Sequence, residues 1–172
     1  MTSKNGFLFP ETMIFNNPSV GKVGVKKMAQ EIRRFIDFKE GDHQLVIGSD
    51  SHLYGANGDQ RLKLVTAVVI HHRGRGGRFF WTRANIERFF SLREKIYQET
   101  MASLEVAHRL VSSLKEDLNG ELERLEIHID VGNKGPTREM IKEVVGMVSG
   151  NGFTAKTKPD AYGAFVVADR YT

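Results

Sequence analysis

The 172 residues contain no cysteine. Disulfides and thiolate zinc sites are thereby excluded together, and Asp, Glu and His remain as the strong metal ligands available. Long apolar runs are missing too. A segment such as Leu64 to Ile70 has strand length, far short of the roughly 20 residues a membrane-spanning helix needs. Met1 to Pro10 carries one Lys and no long apolar stretch before a small-residue cleavage site, so the expected location is cytoplasmic, with no membrane partner. No internal repeat, low-complexity tract or long linker divides the sequence, and its length suits one compact domain. Charge of one sign is only mildly in excess. The formal net charge of +4, with a pI near 9.4, tilts the surface toward polyanions without marking an extreme nucleic-acid binder. A hydrophobic share of 40% and a charged share of 27% are ordinary for a globular chain and favour neither disorder nor a membrane class.

What is present alternates in type along the chain. Met1 to Pro18 has no assignable periodicity. From about Lys22 to Phe38, Val25, Met28, Ile32, Phe35 and Ile36 recur at helical spacing among charged residues, which predicts an amphipathic helix closed by Gly41. Residues 1–40 are therefore expected to be an N-terminal extension holding one helix, within a single domain spanning 1–172. Gln44 to Asp50 reads as a buried strand, and Arg61 to His72 and Arg78 to Arg83 as two more, suggesting an antiparallel meander. Arg73, Arg75, Arg78 and Arg83 cluster around Gly74, Gly76 and Gly77. This basic turn is either a solvated hairpin tip or a contact for a phosphate backbone, with Arg75 and Arg78 as its candidates.

A long helix is expected from about Ile86 to Leu118, where Leu92, Ile96, Thr100, Ser103, Ala107, Leu110 and Leu114 advance by three or four residues and Asn119-Gly120 ends the run. Then follow a strand alternating at Leu125, Ile127 and Ile129, a helix over Thr137 to Val148, a short strand over Phe153 to Thr157 and a last helix from Ala161 to about Tyr171. Three adjacent strands followed by alternating helix and strand imply a mixed α/β sheet whose later strands run parallel to the first. Ligands gather at the carboxyl ends of strands in such sheets, where Asp50 and Asp130 lie. Two like charges held close together must neutralise or bind a cation, and hard ions such as Mg²⁺ take carboxylate oxygens. Alone, either Asp could simply open a turn.

Ile47-Gly48-Ser49-Asp50-Ser51-His52, with the upstream amphipathic helix and the closing Ala168-Asp169-Arg170, resembles the bacterial YkuK-type family of predicted ribonuclease H-like nucleases, over nearly the whole chain. The resemblance implies a ribonuclease H-like fold, a five-stranded mixed sheet in the order 3-2-1-4-5 with helices on both faces. It further implies an Asp on the first strand, a Glu on the first long helix, an Asp on the fourth strand and another on the final helix. Asp50 and Asp130 match the strand positions.

For the helical acid, Glu99 lies three residues after Ile96 and four before Ser103 on the apolar stripe, whereas Glu94 and Glu105 fall nearer the flank. For the last acid the choice lies between Asp160 and Asp169, nine residues apart and on opposite helix faces. Asp169 follows Phe165 and Val166 by four and three residues on the apolar face of the last helix, while an N-cap role accounts for Asp160. The resemblance implies that Asp50, Glu99, Asp130 and Asp169 hold Mg²⁺ or Mn²⁺ for two-metal hydrolysis of DNA, RNA or a hybrid. His52 is a candidate for orienting water or protonating the leaving group. Ser51, Asn133 and Lys134 are candidates for nucleic-acid contact, the last two with Thr137 in a loop leading to a helix N-terminus. His71, His72 and His128 read as structural. A non-catalytic nucleic-acid-binding module on the same fold is the alternative, and nucleotide binding of the sugar-kinase type is less favoured because those proteins resemble two duplicated domains.

Overall fold

Strand β3 (His43–Tyr54) is the axis about which the other elements are arranged. In chain order the elements are β1 (Ile14–Asn17), β2 (Gly21–Gly24), α1 (Val25–Phe38), β3, β4 (Arg61–His72), β5 (Gly76–Ile86), α2 (Leu92–Leu114), β6 (Leu125–Ile129), a 3-10 turn (Arg138–Met140), α3 (Ile141–Gly150), β7 (Thr154–Thr157) and α4 (Ala164–Tyr171). The computed structural model describes residues 8–38, 42–55, 61–72, 74–87, 91–114, 125–132, 134–135, 137–162 and 164–172. β4 lies antiparallel to β3 from His43↔His72 to Tyr54↔Arg61, and β5 antiparallel to β4. On the other edge of β3, β6 runs parallel from Leu45↔Leu125 to Gly48↔His128, and β7 runs parallel to β6.

The sheet has seven strands in the order β2-β1-β5-β4-β3-β6-β7, which corrects the five-stranded 3-2-1-4-5 arrangement expected from the sequence. The N-terminal segment is the reason. β1 and β2 pair with each other, and β1 bonds to β5 through Asn16↔Trp81, adding a hairpin beyond the β5 edge. Its strands are four residues long, too short for alternation to show. Asn17 fixes the hairpin, its Oδ1 accepting from the Ser19 and Val20 N–H groups while its Nδ2 donates to the Phe79 carbonyl. α1 consequently starts at Val25, three residues later than its apolar pattern suggested.

One face of the sheet carries α1, α2 and α3 over a core that includes Met28, Ile32, Ile47, Leu64, Phe80, Leu110 and Val144. α2 approaches β3 closely because small residues meet there, Ser103 Oγ lying 2.8 Å from Ser49 Oγ, which in turn lies 2.7 Å from Thr66 Oγ1. The opposite face carries α4, whose fully buried Ala164 and Ala168 lie on β3 and β4. The buried stripe of α4 is this alanine pair. Val166, assigned to the apolar face from sequence, is 57% exposed. At the far end of α4, Tyr171 stacks on Trp81 at 3.9 Å, and the Arg83 guanidinium donates to the Tyr171 carbonyl. The helix begins three residues after the expected start, following a turn in which the Ala161 N–H donates to the Thr157 carbonyl and the Tyr162 N–H to His128 Nδ1.

Gly48 permits this packing. A Cβ there would stand 3.0 Å from the Ala164 Cβ, 3.0 Å from the Phe165 nitrogen and 3.1 Å from the His128 carbonyl oxygen, none of which is a flexible side-chain end. Gly48→Ala should therefore lower stability by about 1–3 kcal/mol, the usual cost of overpacking. Urea denaturation measures this, and an unchanged midpoint would mean that α4 does not bear on β3 as described.

Candidate active site at the ends of the parallel strands

β6 stops at Ile129 while β3 continues, so the edge of β3 is open beyond the paired stretch. The register Gly48↔His128, carried forward two residues on each chain, brings Asp50 beside Asp130. Parallel neighbours lie about 4.8 Å apart, so the two carboxylates share one end of the sheet. The register Ile129↔Thr157, carried one residue further, brings Lys158 beside Asp130, and these two form an ion pair. From the opposite face α4 adds Asp169, whose charge acts on Asp50, and Thr172, whose hydroxyl donates to the Asp169 carbonyl at 2.7 Å and stands 3.4 Å from Asp50 Oδ2.

α2 runs antiparallel to β3, so one turn before Ser103 it presents Glu99 to Ser51. The Ser51 hydroxyl donates to Glu99 Oε1 at 2.7 Å, and Lys95 Nζ donates to the same oxygen at 2.5 Å. Lys95 Nζ also lies 3.7 Å from Asp50 Oδ1. Burial raises the Asp50 carboxyl above its ordinary range, with Asp169 and Asp130 pushing the same way against Lys95 and the Ser51 backbone N–H. Burial also raises Glu99, which Lys95 and Ser51 only partly offset. For Lys95, burial works against the charged form, but Glu99, Asp50 and Asp130 outweigh it and hold the ammonium above its usual value.

The ribonuclease H-like family model matches residues 27–172. A relative described as an uncharacterized protein YkuK, from Bacillus subtilis (strain 168), is 31% identical over 173 residues, covering 94% of this chain and 98% of its own length. The chain belongs to the YkuK-type ribonuclease H-like family. No solved structure gives a significant match.

Within this ribonuclease H-like frame, Glu99, Asp130 and Asp169 each come within electrostatic reach of Asp50. Asp160 sits in an exposed turn four residues ahead of α4. It is therefore not the N-cap that the sequence suggested. Glu105 is buried elsewhere and accepts from the Leu8 and Phe9 N–H groups and from Arg109. His52 is exposed on the same strand, two residues beyond Asp50. Lys134 is exposed after the β6 end, and Asn133 lies outside the described residues.

Ser51 is buried and committed to Glu99, so it is not displayed to a ligand. Arg78 is paired with Glu31 of α1 at 2.8 Å, where burial opposes the Glu31 charge but Lys27, Arg34 and Arg78 together hold its carboxyl low. The basic turn containing Arg75 joins β4 to β5 beside the start of β3, roughly 20 Å of strand away from Asp50. Sequence reasoning missed Lys95 and Lys158. The four-residue step from Lys95 to Glu99 was a usable signal, although such spacing ordinarily marks a surface pair; Lys158 becomes visible only through the β6–β7 register.

The carboxylates supply oxygen donors only, and Asp50 is held against two like charges, so the donor chemistry fits a hard divalent cation. Among the described residues no three His, Asp or Glu side chains already stand in a coordinating arrangement. Also among them, no helix is long and apolar enough to cross a membrane.

Because the raised carboxyls of Asp50 and Glu99 bind protons more readily folded than unfolded, they reduce stability as pH rises from the ordinary carboxylate range through their folded values. Asp50→Asn should thus melt no lower than the wild type at pH 7. Its advantage should shrink toward pH 4, where the wild-type carboxyl takes up its proton. Thermal melts at the two pH values test this, and a variant clearly less stable at pH 7 would contradict the assigned burden on Asp50.

Proposed function

We propose that this chain is a metal-dependent nuclease hydrolysing nucleic acid phosphodiester bonds, with Asp50, Asp130 and Asp169 holding Mg²⁺ or Mn²⁺. The observation that carries the reading is the meeting of Asp50 and Asp130 where β6 has ended and the edge of β3 is open, with Asp169 of α4 acting on Asp50. A bound divalent ion supplies Lewis acidity at a phosphoryl oxygen and a lowered pKa for the attacking water.

The residues around it have separable tasks. Thr172 steadies α4 beside Asp50 through its bond to the Asp169 carbonyl. Lys158, half-exposed and paired with Asp130, and exposed Lys134 offer positive charge to the phosphate backbone. His52, exposed on β3 two residues beyond Asp50, is the candidate for donating a proton to the leaving 3′ oxygen. The two-metal form of the reaction adds Glu99 as a fourth ligand, and in this structure one oxygen of that carboxylate is taken up by Lys95 and Ser51. The pairing of Lys95 and Lys158 with the acids also favours a second reading, a nucleic-acid-binding module without chemistry.

A cleavage panel of single-stranded RNA, single-stranded DNA, duplexes and hybrids, with Mg²⁺, Mn²⁺ or chelator, separates the two. Cleavage should require the divalent ion and fall at least about a hundredfold in Asp50→Asn, since even outer partners of metal ligands cost 10- to 100-fold. Asp169→Asn should be impaired and Asp160→Asn should not. Full activity in Asp50→Asn would sink the nuclease assignment, and salt-sensitive binding without cleavage would favour the module.

A further inference from the structure

We infer that Lys95 is the resident second cation of the site, its ammonium standing in for one of the two divalent ions so that the chain binds a single Mg²⁺ or Mn²⁺. This deepens the metal-dependent reading above and rests on it.

The ammonium stands between two of the carboxylates. Lys95 Nζ sits 2.5 Å from Glu99 Oε1 and 3.7 Å from Asp50 Oδ1, with Asp130 also within electrostatic reach. The Lys95 side chain is only 23% exposed and that of Glu99 7%. Helix energetics do not explain a lysine here. Lys95 lies in the first turn of α2, where the macrodipole disfavours a cation, and its ammonium is largely withdrawn from water. The carboxylates hold it in place. Glu99 is in turn fixed by the buried Ser51 hydroxyl, which donates to the same oxygen, so the anchor for the ammonium is itself positioned by β3.

Charge balance leads to the same stoichiometry. Asp50, Glu99, Asp130 and Asp169 are matched by the ammonium groups of Lys95 and Lys158, and the two negative charges left over equal the charge of one divalent ion. A second ion on the Glu99 side would have to displace Lys95 and meet its repulsion. With the ammonium in place, the Glu99 side of the site already offers a fixed positive charge toward an incoming phosphate.

Calorimetric titration of the full chain with MnCl₂ tests this without relying on activity. Wild type and Lys95→Arg should each bind one Mn²⁺. Lys95→Met should bind two, and Lys95→Gln, which keeps a donor for Glu99 should the Met variant fail to fold, should do the same. Adding Glu99→Gln to either variant should return the count to one. Two ions in the wild type, or one ion with wild-type affinity in both neutral variants, would overturn the role of Lys95 while leaving the metal-dependent reading standing. No Mn²⁺ bound by any of these proteins would overturn both.

Discussion

The parallel pairing of β3 with β6 is the constraint on which the site depends. Because β6 ends one residue short of the level of Asp50, the sheet brings Asp50 and Asp130 together where β6 no longer pairs with the edge of β3. Extending the same ladder through β7 adds Lys158 beside Asp130. Burying Asp50 beside Asp169 and Asp130 is a cost to the fold, visible in its raised carboxyl, and Lys95 offsets part of it while Lys158 pairs with Asp130. A register shift of one residue would turn every side chain of β6 to the other face and dissolve the arrangement.

Small residues bring the helices to this edge from both faces. Ser49 and Ser103 let α2 lie close enough to β3 for Glu99, one turn earlier in the helix, to reach Ser51. On the other face, Gly48 beneath Ala164 and Ala168 over β4 let α4 lie flat, and the Trp81–Tyr171 stack holds its end, which carries Asp169 within electrostatic reach of Asp50. The carboxylates thus come from β3, α2, the end of β6 and α4, whose positions are set by contacts outside the site itself.

Much of this was legible in the sequence. Asp50 and Asp130 terminate apolar, β-prone stretches, and helical phase singled out Glu99. Other features were hidden for physical reasons. The β1–β2 hairpin is too short for period-two alternation, and it is anchored by Asn17, a residue type that also reads as a turn former. Arg78 stands near a Gly-rich turn in sequence, yet β5 begins at Gly76, which places Arg78 inside the strand and beneath α1. The apolar look of Val166 misled because the surface beneath α4 accepts only small side chains.

By itself, the sequence determined the succession of most strands and helices, the family, and the acids that could matter, because periodicity and local composition record which side of each element is buried. Only the tertiary structure decided that the basic turn lies at the opposite end of β3 from Asp50, and that Lys95 and Lys158 stand among the acids. Strand register and helix docking bring residues distant in the chain together, and neither is encoded in the spacing of any one segment.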